Sequence, residues 1–480
     1  MRTPLEFFKE ICAIPHPSFR EQAIAAYLVR FAEARGLSYY ADAIGNVVIR
    51  KPASAGREAL APVMLQAHTD MVCEKTPGSA FCFETDPLEL YEENGFLRAR
   101  NTTLGADDGY GVAYMLAVLD DDTLRHPPLE CFFSVQEEVG VGGPRAMDYS
   151  QLTATRIINL DAVEEGTCNM LQASVIGGEW RLPVQYEEER TELPAYRVTL
   201  DGFTAGHASV DHPYGRGIAT EWMLRILAAA ERAGSFRLAD ISCGTFRNNL
   251  AGTAEAVILS GAGEPALREI VETAFRDARF EHAETDPDIV FSVCPAERPE
   301  AVLTPGSART LLDFLAALPN GIASLMHCDR KVQKTSHNLG TVRLARNGLE
   351  GECTAGYLFR AAYHTEIDEL FRKGLVIGKA FGAVYETDYR YSGYYLNTDW
   401  ELFRTWNGVY RDATGRDLYL KFTGGGNDVG TIMDGMGRDR CQAIGISPDI
   451  TGVHTPKEAL DLASFDRTYG YLLEVLKRLK

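Results

Sequence analysis

Val63-Met64-Leu65-Gln66-Ala67-His68-Thr69-Asp70 is a short apolar strand that stops on a histidine and an acid, and the same arrangement recurs along the chain. Cys131-Phe132-Phe133-Ser134-Val135 runs through Gln136 into Glu137-Glu138, and Arg156-Ile157-Ile158-Asn159-Leu160 stops at Asp161. Between the first two strands, 112–119 reads as a helix. Strands that alternate with helices predict an α/β layer around a mostly parallel central sheet. In such sheets ligands gather beyond the carboxyl ends of the strands, which is where these polar residues fall.

Outward from that core, Ser18-Phe19-Arg20-Glu21 has the pattern of a capping box, and Ile24, Tyr27, Leu28 and Phe31 then share one helical face, with Gly36 as the stop. Gly45-Asn46-Val47-Val48-Ile49-Arg50 reads as a strand. From about Thr191 the texture changes. A strand at 196–200, a helix at 218–230, strands at 241–247 and 253–259, a helix at 266–276 and a strand at 289–293 spell β-α-β-β-α-β. A second set follows, with helices at 307–318 and 366–380 and strands at 338–345, 351–360 and 383–391. The predicted organisation is a catalytic domain in two parts, 1–193 and 393–480, split by an inserted α+β lid, 194–392, of duplicated ferredoxin-like layout. The tail returns to the first texture with a helix at 400–413, the run Gly424-Gly425-Gly426-Asn427-Asp428, a strand at 441–446 and a final amphipathic helix.

Composition bounds the partners. A chain of 480 residues with 45% hydrophobic and 24% charged residues is that of a folded globular protein. Its formal charge of −19 comes without a basic run, so nucleic acid is not expected as a partner. No stretch approaches the ~20 apolar residues of a membrane span, and the start of the chain lacks the layout of a signal peptide. Neither a membrane nor an export route is therefore expected, and the predicted location is the cytoplasm. The ten cysteines are scattered without a C-x-x-C pair and are read as small buried apolar residues in a reducing compartment.

The chemistry lies in the joint occurrence of His68, Asp70, Asp107-Asp108, Glu137-Glu138, Asp161 and His454. Each alone has a structural explanation; Asp107-Asp108, for example, suits the first turn of a helix. Converging on one sheet edge, however, so many carboxylates would repel one another unless cations sat between them. Two divalent ions answer that need. Histidine and carboxylate ligands without thiolate suit Zn²⁺, with Mn²⁺ or Co²⁺ as alternatives, in an open water-bearing site.

Phe7-Phe8-Lys9-Glu10-Ile11-Cys12-Ala13-Ile14-Pro15-His16-Pro17-Ser18, Gly45 to Pro52, Thr102-Thr103-Leu104-Gly105-Ala106-Asp107 and Ile158-Asn159-Leu160-Asp161 resemble the bacterial aminoacyl-histidine dipeptidases, dizinc metallopeptidases of the aminoacylase/carboxypeptidase superfamily. The likeness spans nearly the whole chain. It implies that His68, Asp107 and Asp161 hold one metal and Asp107, Glu138 and His454 the other, with Asp107 bridging. It also implies that Asp70 orients His68 and that Glu137 is the general base for a metal-activated water. In the lid, His207 matches a histidine that stabilises the oxyanion, and Asn248 and Arg360 match residues that hold the substrate, Arg360 by its carboxylate. The implied substrate is a small peptide, Xaa-His including β-Ala-His, cleaved by a monomer or homodimer. Three stretches depart from the family pattern: Asp108 stands where Asn is usual, Ala205-Gly206-His207-Ala208-Ser209 where Gly-Gly-His-Ser-Gly is usual, and Phe422 to Asp428 where His-Ala-Gly-Leu-Glu is usual. Alternatives are a tripeptidase or N-acyl-amino-acid deacylase with the same metals and, in another class, a non-catalytic metal- and peptide-binding protein.

Overall fold

The structure is a computed structural model that describes residues 2–327, 332–423 and 426–480. The chain divides into two compact units. The first gathers Met1–Gln172, Tyr391–Phe422 and Gly426–Lys480, and the bulk of the second is Ala173–Arg390. The first boundary lies well before the expected one at 193. The cause is a long strand at Ser174–Glu188, whose partners all belong to the second unit.

In the first unit, strands β1 (Ser38–Ala41), β2 (Val47–Lys51), β3 (Val63–His68), β4 (Leu129–Ser134) and β5 (Arg156–Asn159) join strand Gln442–Gly445 in one sheet. The order across it is β1-β2-β4-β3-β5 and then Gln442–Gly445. The β4–β3, β3–β5 and β5–Gln442–Gly445 pairs are parallel, whereas β1–β2 and β2–β4 are antiparallel. The expected mostly parallel centre is therefore present, with an antiparallel edge. Helices α1 (Pro4–Ile11) and α2 (Gln22–Ala34) contribute Phe7, Phe8, Leu28 and Phe31 to its core. Helix α3 (Ala106–Asp120) is buried at every position from Asp108 to Leu119. A helix enclosed on all sides needs no amphipathic stripe, which is why its run of apolar residues looked shorter in the sequence than the helix is.

One local expectation fails. Ser18 and Glu21 form no capping box: α2 starts after Glu21 with no side-chain cap, and the reciprocal box instead joins Thr3 and Glu6 at α1. The Ser18 hydroxyl donates to Asp70 Oδ2 at 2.7 Å, and Glu21 accepts the N–H of Gln136 at 3.1 Å. Both side chains are thus spent on the segments that follow β3 and β4. Among the nine described cysteines, all free, six are buried as expected, but Cys73, Cys82 and Cys294 are exposed; Cys328 lies outside the described residues.

The second unit contains strands β6 (Ser174–Glu188), β7 (Ala195–Asp201), β8 (Phe236–Cys243), β9 (Ala254–Ser260), β10 (Val290–Pro295), β11 (Gln333–Asn347), β12 (Glu350–Ala361) and β13 (Val384–Tyr391). Its helices are α4 (Ala219–Ala233), α5 (Gly263–Glu281), α6 (Pro305–Ala317) and α7 (His364–Phe381). The order β10-β7-β9-β8 is that of a ferredoxin-like half, and β8 continues it by pairing with β11. The other half comprises β11, β12, β6 and β13, which pairs with β6. Its first strand, β6, precedes the whole of the other half in sequence. The two halves are therefore nested rather than consecutive. Trp180, Leu182, Val184 and Tyr186 of β6 point into the unit's core, with Trp180 against Phe314 of α6 and Tyr385 of β13.

Candidate metal centre

Parallel pairing brings the carboxyl ends of β4, β3 and β5 side by side, so the residues just beyond them share one edge of the sheet. Seven of the ten expected site residues, His68, Asp70, Asp107, Glu137, Glu138, Asp161 and His454, belong to this unit. One ligand atom from each of His68, Asp107 and Glu138 lies within 4.8 Å of the other two. Asp107 turns its two carboxylate oxygens toward different histidines: Oδ1 is 3.3 Å from His68 Nε2, and Oδ2 is 3.3 Å from His454 Nε2. His454 Nε2 also lies 3.0 Å from Glu138 Oε1.

Asp70 is the hub beneath these groups. His68 Nδ1 donates to the Asp70 carbonyl at 3.0 Å and lies 3.5 Å from its carboxylate, which leaves Nε2 facing Asp107. The Asp70 carboxylate also accepts the N–H groups of Glu137 at 3.0 Å and of Glu138 at 3.3 Å. One buried acid thus fixes the histidine of one strand and the two glutamates of the next. Burial works against its charge, but His68, Ser18 and the Glu137 N–H outweigh that penalty and hold its carboxyl below the usual range.

The remaining electrostatics describe too many carboxyls in too little water. Burial first, then the charge of Asp107, pushes Asp161 up to about 7. Burial pushes Glu137 well above the ordinary glutamate range and Glu138 in the same direction. Asp107 moves the other way: burial is outweighed by its hydrogen bonds to His454 and His68. Burial opposes charge on both histidines, yet the surrounding carboxylates hold His68 well above its ordinary value and His454 up to about 10. Cations among these groups would relieve the same crowding of carboxylates. The donor set of imidazole nitrogen and carboxylate oxygen, with one carboxylate facing two ways, fits two divalent ions.

Asp108, where the family pattern has Asn, is buried and accepts the His68 N–H at 3.1 Å. Burial, reinforced by the charges of Asp161 and Asp107, pushes its carboxyl well above the ordinary aspartate range. In the altered run near 428, Gly424 and Gly425 lie outside the described residues. Asp428 is described: its Oδ2 accepts from Gln66 Nε2 at 2.7 Å and from Ser134 Oγ, while Asn427 donates to Asn159 Oδ1 at 2.8 Å. A buried polar layer therefore underlies the ends of β3, β4 and β5.

Glu458 is the residue that sequence reasoning missed. Its carboxylate accepts the N–H groups of Leu104, Gly105, Ala106 and Asp107 at 2.8, 3.1, 2.9 and 3.3 Å. The only available signal was its position four residues after His454.

The other three expected residues lie in the second unit. His207 bridges to Asn249, and the Ala208 N–H donates to the Asn248 carbonyl at 2.9 Å, so His207 and Asn248 are neighbours. His207 Nδ1 is 2.5 Å from Ser209 Oγ. Two amides of β11 hold this pair: Gln333 donates to the carbonyls of Ala208 and Ser209 at 2.9 and 2.6 Å, and Asn338 to those of Arg247 and Asn249 at 2.7 and 2.9 Å. Arg360 is buried on β12, in register with Ser336.

Comparisons with known proteins give the chain a family. Peptidase family M20/M25/M40 matches residues 64–478. The chain is 31% identical to the cytosol non-specific dipeptidase of Escherichia coli (strain K12) over 475 residues, 99% of this chain and 97% of that protein. The crystal structure of the aminoacylhistidine dipeptidase from Vibrio alginolyticus superposes with a TM-score of 0.84 at 27% identity, covering 99% of this chain and 96% of that one. The aminopeptidase PepT from Bacillus cereus shares the fold, with a TM-score of 0.59 at 15% identity over 99% of this chain and 98% of that one.

Proposed function

This chain belongs to peptidase family M20/M25/M40, and from that premise we propose that it is a metallo-dipeptidase. Two divalent ions, zinc foremost, would be held by His68, Asp107 and Asp161 and by Asp107, Glu138 and His454. The observation that carries this reading is Asp107, whose two oxygens each face a different histidine at 3.3 Å.

When bound, the ions supply Lewis acidity, which makes water a nucleophile near neutral pH and polarises the scissile carbonyl. The protein does the rest. Glu137 accepts the proton of the attacking water and delivers it to the leaving amine nitrogen as the carbon–nitrogen bond breaks. Asp70 keeps His68 in the tautomer with Nε2 free and holds the backbone of Glu137 in register with it. His207 donates to the oxyanion, Asn248 supports the peptide, and Arg360 pairs with the free carboxylate of the substrate. A carboxylate clamp favours peptides of two residues.

The names of two relatives matched over nearly their whole length bracket the substrate range: one is called non-specific and the other aminoacyl-histidine-directed. We read this protein as a cytoplasmic dipeptidase that accepts Xaa-His, including β-Ala-His, among other dipeptides. The test is hydrolysis of Ala-His, β-Ala-His, Gly-Leu, a tripeptide and an N-acetyl amino acid with Zn²⁺, Mn²⁺ or Co²⁺, each repeated with chelator. Chelator-sensitive cleavage of the dipeptides is expected. Preferential cleavage of the tripeptide or the acylated amino acid would move the enzyme to those classes, and metal-loaded protein that binds dipeptide without turnover would make it a binding protein.

A further inference from the structure

The turn that delivers His454 also delivers Glu458. Gly452 and His454 both have left-handed backbone, with φ of +64° and +62°, and the Thr455 and Glu458 N–H groups donate to the carbonyls of Gly452 and Thr455 at 3.1 and 3.0 Å. Strand Ala459–Asp461 then locks the turn by pairing with Phe96–Ala99. Four residues apart, the two side chains reach the same place by different routes. His454 faces the carboxylate of Asp107, and Glu458 takes the N–H of Asp107 along with the three before it.

Leu104 and Gly105 lie before α3, and Asp107 and Asp108 depart from helical backbone, so these four N–H groups belong to the turn that leads into the helix. Successive N–H groups turned to one side of such a turn make a cradle that favours a negative charge. The nearest carboxylate in sequence is that of Asp107 itself. If the Asp107 carboxylate turned back onto its own N–H, its oxygens would be withdrawn from the histidines. Glu458, 3% exposed, occupies that position instead, with each oxygen accepting two N–H groups.

We propose that Glu458 is a positioning residue of the dinuclear centre: by holding the turn that leads into α3 from the His454 turn, it leaves both oxygens of Asp107 facing His68 and His454, the residues that with it would hold two metal ions, and ties Asp107 to His454. This rests on the metal-centre reading above and adds to it a residue outside the ligand set. Substituting the isosteric amide would present an NH₂ to two of the four N–H groups, donor against donor, and open half of the cradle.

The experiment compares full-length wild type with Glu458→Gln. Each is stripped of metal and titrated with Zn²⁺ and Co²⁺ against a chromophoric chelator, and the visible spectrum of the cobalt-loaded protein and the melting temperature of the metal-free protein are recorded. Metal affinity about 10–100-fold weaker, with an altered cobalt spectrum, is expected of a residue that orients ligands from behind. Wild-type affinity and spectrum, with only a lower melting temperature, would overturn the proposal and leave Glu458 a structural support of that turn. Should Glu458→Gln fail to fold, Glu458→Asp, which keeps the charge but withdraws it by one methylene, is read by the same two criteria. Wild-type protein that binds no ions would instead defeat the metal-centre reading, so the two failures are distinguishable.

Discussion

Glu137 and Glu138 are adjacent in sequence, and their side chains part at the site. Glu138 lies 3.0 Å from His454 Nε2 within the ligand cluster, whereas Glu137 is held by its N–H on Asp70 and raised by burial. Glu137→Gln should therefore retain both metal ions, measured by elemental analysis, while turnover falls about 10²–10⁴-fold, the contribution of a positioned acid–base group. Substantial residual turnover with intact metal content would remove Glu137 from the role of base. Residues of this kind were legible in the sequence because each stands where an apolar strand stops. Ser18, Gln333 and Glu458 were not, since their partners are distant in sequence: the carboxylate of Asp70 for Ser18, the carbonyls of Ala208 and Ser209 for Gln333, and the four N–H groups of Leu104 to Asp107 for Glu458. No local pattern encodes those contacts.

At the scale of elements, β6 shows what a linear reading loses. It contains Gly177, Gly178 and Pro183, residues that ordinarily interrupt a strand, yet it pairs with β12 from Ser174 to Gln185. The glycines are there for close approach: a Cβ at Gly178 would stand 2.0 Å from the Glu386 carbonyl oxygen of β13. Missing β6 displaced the domain boundary and hid the nesting of the two halves, although the helices and most strands of each half were legible from their periodicity. The same close packing recurs in α7, where a Cβ at Gly378 would stand 2.2 Å from the Trp180 ring. Gly378→Ala should destabilise the second unit by about 1–3 kcal/mol through overpacking. Gly470, in the exposed face of helix Leu462–Arg478 with nothing within 4 Å of its would-be Cβ, gives the control. Gly470→Ala should stabilise by about 0.4–1 kcal/mol, because it restricts the unfolded chain without a clash. Denaturant melts of the two variants that shift in the same direction would contradict this account.

For the whole molecule, the site is a local excess of negative charge in a chain already at −19, and that excess links metal binding to stability. Without metal, Asp161 is raised to about 7, Glu137 is raised well above the ordinary glutamate range, His68 is raised well above its ordinary value and His454 up to about 10. Each of these groups binds protons more tightly in the folded than in the unfolded chain. For the histidines the resulting stabilisation is complete below about 6.5 and is lost as pH rises toward the folded value; for the raised carboxyls a penalty grows from about pH 4 up to their folded value. Both therefore lower the stability of metal-free protein as pH rises. Asp107 and Asp70 are shifted downward, and their contribution is already complete above about pH 5, so it does not change between pH 5.5 and 8. Metal ions displace the protons from the same ligands and bind more tightly as pH rises. The gap in melting temperature between Zn²⁺-loaded and chelated protein should accordingly widen from pH 5.5 to pH 8. The comparison cancels the repulsion of the remaining surface charge, which both forms share. A gap that stays constant or narrows would mean that these carboxyls and histidines are not the metal's ligands, because ligands that hold protons in the metal-free protein must release them when a cation binds.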